Sequence, residues 1–94
     1  MTKGQDFGEI VALRALGWIA GSEDLLPVFL GATGAGPADL RERVTDPEFQ
    51  ASVLDFLMMD DAWIVAFCDA EGLAYDAPRR ARAALPGSAL SDWA

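Results

Sequence analysis

From Asp46 to Gly72, DPEFQASVLDFLMMDDAWIVAFCDAEG, the apolar positions fall into two helical stripes separated by an acidic corner. Phe49, Val53, Phe56 and Leu57 recur at the spacing of one helix face, with Leu54 and Met58 widening it and Ser52 and Asp55 on the wet side. Asp46 is placed to cap this helix. Pro47 takes its first position, where the missing N–H costs nothing, and Glu48 adds negative charge near the positive end of the dipole. Asp60 closes the first helix and caps the second. There Trp63, Phe67 and Ala70 form one line, with Ile64 and Cys68 beside it, and Gly72 supplies a left-handed stop. The corner leaves no room for a loop, so the two helices are expected to cross tightly, and the core to centre on Phe49, Phe56, Trp63 and Phe67.

The pattern before this hairpin is also helical. Phe7 to Ala20 carries Phe7, Val11 and Trp18 on one line and Ile10, Leu13 and Leu16 on other sides, as expected of a helix buried between neighbours. Gly8 and Gly17 lower its helix propensity, and close helix approach is the reason to expect them there. Gly21 ends it. A short second helix, capped by Asp24 with Pro27 in its first turn, buries Leu25, Leu26, Phe29 and Leu30. GATGAG, Gly31 to Gly36, is expected to be a flexible link. Pro37 opens a third helix with Leu40 and Val44 inside and Arg41, Glu42 and Arg43 largely outside. After the hairpin, Asp76 and Pro78 start a final helix through Leu85, stopped by Pro86 and Gly87. β-branched residues never alternate over four positions, so no strand is expected.

Shifting the chain by 38 residues places Leu16 on Leu54, Trp18 on Phe56, Phe29 on Phe67, Gly34 on Gly72 and Arg41 on Arg79. Ser22 meets Asp60 as a possible cap. Two copies of a three-helix unit would explain this; any six-helix chain also aligns with itself passably, and the pattern leaves both readings open.

The 94 residues bound the answer to one small domain, and the 52% hydrophobic content argues against disorder. We expect a single helical domain over 7–87, a frayed start over 1–6 and a C-terminal tail over 88–94. Fifteen acids against seven bases give a net charge of −8, which repels a phosphate backbone and anionic lipid alike, so neither nucleic acid nor membrane is expected as a partner. No uninterrupted apolar run reaches the roughly 18 residues of a spanning helix. Asp6, Glu9 and Arg14 spoil a signal peptide, and with a single cysteine this points to the cytoplasm. The absence of histidine removes the usual general base and the commonest metal ligand.

Candidate chemistry is sparse. GATGAG has the glycine content of a phosphate loop but lacks its Lys-Ser or Lys-Thr ending and a preceding strand, so a helix stop and linker is the better reading. Asp55, Asp60, Asp61 and Asp69 are acidic enough for an oxygen-ligand metal site, yet no EF-hand spacing is present and caps explain two of them. Cys68 lies on the apolar side of its helix as a buried thiol without an activating base. Arg14 interrupts an otherwise apolar face and is expected to pair with Asp55 or Asp61, or else to contact an anion in a small pocket. Arg79, Arg80 and Arg82 form a solvated basic face or a dock for an acidic segment. Met59 falls on the polar side of its helix, and Leu90 and Trp93 belong to the tail. Large apolar groups left outside a core mark contact surfaces, so these three are expected to form a homodimer or partner contact.

One further set of residues carries a resemblance: Ala15-Leu16-Gly17-Trp18-Ile19-Ala20, Phe29-Leu30, Pro37-Ala38-Asp39-Leu40-Arg41, Asp46-Pro47-Glu48-Phe49, Val53-Leu54-Asp55-Phe56-Leu57 and Ala83-Ala84-Leu85-Pro86-Gly87. From Ala15 to Gly87 the chain resembles a small bacterial domain-of-unknown-function family, number 3572, found mainly in alphaproteobacteria. The resemblance implies an all-helical cytosolic domain and carries over no catalytic residue. Its motifs are packing and capping motifs.

The expectation is therefore an all-α, compact bundle of about six short helices. Its function is expected to be that of a non-enzymatic protein–protein interaction module with no catalytic residue, metal or cofactor. The alternative is a small-molecule or anion-binding domain using Arg14 and helix N-termini. A pocket with converging polar groups would favour the alternative, and an exposed apolar surface the module.

Overall fold

The helix that the others pack around is the first, α1 (Lys3–Ala20). Val11, Ala12, Ala15, Leu16 and Ile19 recur at three- and four-residue steps, and all five are buried. The chain continues through α2 (Leu25–Thr33), α3 (Asp39–Glu42), α4 (Pro47–Leu57), α5 (Asp61–Glu71) and α6 (Ala77–Ala84). These coordinates are a computed structural model that describes residues 3–85. The tail residues Leu90 and Trp93 lie outside the described residues. Within them the fold is all-α, with no strand.

The caps of the central stretch are where the local pattern puts them. Asp46 accepts a hydrogen bond from the Glu48 N–H at 3.0 Å, with Pro47 opening α4. Asp60 accepts from the Ala62 N–H at 2.8 Å, and Gly72 ends α5 at φ 69°. The expected tight crossing of α4 and α5 is not found: their contact is confined to the corner, where Trp63 stacks on Phe56 at 4.9 Å. Asp60 is extended, at φ −140°, and sends α5 away from α4 toward α1. The apolar face of α4 packs on α1 and α6 instead.

The largest share of the packing on α1 comes from α6, which the sequence pattern gave only as a final helix. Gly8 permits it. A Cβ there would stand 2.8 Å from the Ala81 carbonyl oxygen and 2.9 Å from Leu85 Cγ, so only glycine fits. Arg80 lies over the Phe7 ring at 5.1 Å. With α6 laid across this end, α1 begins at Lys3, not Phe7, so the start expected to fray over 1–6 is helical from residue 3. Gly17 has no such role, since nothing stands within 4 Å of its Cβ position. Ile10 and Leu13 are 54% and 43% exposed, so α1 is not enclosed on every side.

Phe29 of α2 is fully buried and receives the rings of Phe49 at 6.1 Å and Phe56 at 5.2 Å, both edge-on. Each such pair contributes about 0.5–1.5 kcal/mol beyond area burial. Trp63, expected at the centre of the core, is only half-buried and covers Phe56 from outside. The cap of α2 is Ser22, whose hydroxyl oxygen accepts from the Leu25 N–H at 3.2 Å; the Asp24 side chain makes no cap bond. The helix runs on through Gly31, Ala32 and Thr33, so half of the expected flexible link is helical, and Gly34 stops it at φ 73°. Helix α3 is one turn, because Asp46 and Pro47 restart the chain as α4. Gln50 is buried and donates to the Val44 carbonyl at 2.7 Å, which fastens the α3–α4 connection to the core.

The 38-residue offset reappears in the fold. It takes the left-handed Gly34 to the left-handed Gly72, and the first residue of α3, Asp39, to the first residue of α6, Ala77. It fails in length: α3 has 4 residues and α6 has 8, and only α6 is long enough to lie along α1.

Candidate functional site

The outward side of α4 presents Glu48, Ser52 and Asp55, with Met59 just past its end and the buried Phe49 and Phe56 beneath. Across from it stand Ala32 and Thr33 at the end of α2, then Ala35, and Arg43 closes one end. Together they line a groove of about 490 Å³. Met59, at the α4–α5 corner, is 72% exposed, the largest exposure among the large apolar side chains described.

The groove stays open for a local reason. Between α1 and α5, Arg14 reaches Glu71 at 4.0 Å. The positions offset by 38 residues from Arg14 and Glu71 are Ser52 and Thr33. Both are short, and both hydroxyls are turned onto their own helices: Ser52 donates to the Phe49 carbonyl at 2.7 Å and Thr33 to the Phe29 carbonyl at 2.8 Å. Nothing equivalent to the Arg14–Glu71 pair therefore spans α2 and α4.

The rim is charged in both signs. Arg43 lies 5.1 Å from the centre of the Phe49 ring and 3.3 Å from the Asp46 carboxylate. Asp55 accepts from Arg82 Nε at 2.8 Å, which ties the groove wall to α6. The lining thus combines apolar side chains with a rim charged in both signs.

The other candidate features are engaged within the fold. In GATGAG the amides that a phosphate would need are already bonded: Gly34 N–H to the Leu30 carbonyl, Ala35 N–H to the Thr33 hydroxyl and Gly36 N–H to the Asp39 carboxylate. Cys68 is buried and donates to the Ala74 carbonyl at 3.3 Å. Burial first, then the nearby Asp69 and Asp76 charges, raise its thiol pKa and keep it protonated, the opposite of what a nucleophile needs. Tyr75 donates to Asp69 at 2.7 Å, and that hydrogen bond raises the phenol pKa. Asp55, Asp60 and Asp69 thus have separate tasks, and among the described residues no three acidic, histidine or cysteine side chains gather as a metal site would require.

The basic residues singled out by sequence do not converge. Arg14 is half-exposed, is not among the groove-lining residues, and pairs with Glu71, not with Asp55 or Asp61. Arg79 borders a second depression of about 440 Å³ with Met58, Ile64, Tyr75, Asp76 and Pro78. Arg80 meets Asp76 at 3.3 Å and the Phe7 ring, while Arg82 turns to Asp55. Successive helical positions point about 100° apart, so a run of arginines on one short helix separates into different tasks. Of the expected partner surface, Met59 is in place at the groove; Leu90 and Trp93 lie outside the described residues. Arg43, and Phe49 and Phe56 as lining residues, were not anticipated at the site. The helical stripe correctly shows that both phenylalanines face inward, but not that a groove lies over them.

Residues 5–88 match the model of the family described as Protein of unknown function (DUF3572), and the chain belongs to that family. Comparisons with curated proteins and with solved structures give no match. No helix among the described residues is long and apolar enough to cross a membrane.

Proposed function

We propose that this member of the family is a non-enzymatic, cytoplasmic protein–protein interaction module that receives an apolar segment of a protein partner in the α2–α4 groove. The observation that carries the reading is Met59, a large apolar side chain 72% exposed in a concave surface whose floor lies over the buried Phe49 and Phe56. An unbranched thioether adapts to an incoming side chain and contacts aromatic rings favourably, while the charged rim fixes orientation. The dispersal of the arginines and the protonated state favoured for Cys68 support a binding role over a catalytic one.

The test is retention of a native partner on three forms of the full chain: wild type, Met59→Glu and Arg14→Ala. Both substituted side chains are exposed, so the fold tolerates the changes. One and the same protein should be held by wild type and Arg14→Ala and lost by Met59→Glu. Retention on Met59→Glu, or loss on Arg14→Ala, would place the contact elsewhere.

A further inference from the structure

The groove described above opens beside the point where α6 ends. Arg82, in the last turn of α6, donates to Asp55 of the groove wall at 2.8 Å, and Leu85, three residues later, is buried against the Gly8 position. Leu85 leaves the helix in an extended conformation, φ −96° and ψ 153°, as a residue preceding proline must. The segment 86–94, PGSALSDWA, follows directly, and Arg82, four residues before it, already touches the groove wall. Trp93 lies eight positions beyond Leu85, a span of about 26 Å when extended.

We propose that residues 86–94 of the same chain occupy the groove when no partner does, with Leu90 and Trp93 as the inserted side chains. The inference rests on the groove being a docking surface, and it names the occupant. The chemistry matches on three counts. Leu90 and Trp93 are the large apolar residues of the segment, and the groove offers the exposed Met59; a methionine sulfur against an indole is a favoured contact. Asp92 is the segment's one charged side chain, so it escapes most of the repulsion that an acidic segment would meet on a chain of net charge −8. Arg43 on the rim supplies a cation for that single acid. Attachment through α6 also makes the contact intramolecular, so a modest affinity suffices to keep it formed. A partner segment that displaces it would share its features: two large apolar side chains three residues apart and little charge.

The experiment uses the full chain with carbon-13 labels on the methionine methyl groups. Met59 should show an upfield ring-current shift and a cross-relaxation signal to the Trp93 indole. Both should vanish in Trp93→Ala while the Met58 signal stays in place, and both should persist on dilution. A Met59 methyl at the position of a solvated methionine, indifferent to Trp93→Ala, would overturn the proposal. So would a signal that fades on dilution, which would put the segment in the groove of a second copy. Partner retention insensitive to Met59→Glu would instead remove the docking reading while leaving this contact standing.

Discussion

Trp18 meets Phe67 edge-on, with ring centroids 5.9 Å apart and planes at 65°. Moved by 38 residues in opposite senses, the two positions become Phe56 and Phe29, which also meet edge-on, at 5.2 Å and 77°. The first helix of each half thus holds the second helix of the other half: α1 on α5, and α4 on α2. The halves are joined by exchanged aromatic contacts, with α1 and α4 packed together between them. The arrangement departs from two-fold likeness at α6, which lies along α1 while its shorter counterpart α3 leaves the outer side of α4 uncovered. That departure is where the groove stands.

Phe56→Ala should destabilise the chain by about 3–5 kcal/mol, because it removes a large side chain from a closed centre. Phe56 touches both Phe29 and Trp63. The double substitution with Phe29→Ala should therefore cost less than the sum of the single ones. Urea denaturation of the three variants measures this. An unchanged midpoint for Phe56→Ala would show that the core lies elsewhere.

Gly8 and Gly17 should respond to alanine with opposite signs. Gly17→Ala should stabilise by about 0.5–1 kcal/mol, since the site is open and alanine restricts the unfolded chain. Gly8→Ala should destabilise by about 1–3 kcal/mol, because its Cβ meets the Ala81 backbone, which cannot step aside without moving α6. Thermal melting of both variants decides it, and a gain from Gly8→Ala would mean that α6 is not pressed against α1 as described.

Cys68 should resist thiol reagents in the native protein and react only when the chain unfolds. Burial raises its pKa above the unfolded value, so the folded chain keeps a proton that the unfolded chain loses at alkaline pH. Stability from this group is complete below the unfolded pKa and declines as pH rises toward the folded one. Unfolding curves at rising alkaline pH should therefore fall less steeply for Cys68→Ala than for wild type. Equal slopes would remove the thiol as a contributor.

Nucleic-acid affinity should be negligible at physiological salt. The net charge of −8 opposes it, and Arg14, Arg43, Arg80 and Arg82 are paired with acids. Fluorescence polarisation with short single- and double-stranded probes tests this; micromolar binding at that salt would contradict it.

What the sequence alone determined is local. Asp46 with Pro47, Asp60 and Gly72 bound α4 and α5 because each acts on backbone groups within a few residues of itself, and that chemistry is written in consecutive positions. The helical stripes likewise placed Phe29, Phe49, Phe56 and Phe67 inside, and the all-α class followed. The tertiary structure decided everything that depends on which stripe faces which. It put α6 rather than α5 along α1, required glycine at position 8 and not at 17, and paired Arg82 with Asp55 across 27 residues and Arg14 with Glu71. It also left Met59 exposed in an open groove. An apolar stripe states that a face is covered but not by what, because burial has no direction of its own. The partner is chosen by crossing geometry, and here by the single missing Cβ that lets α6 approach α1.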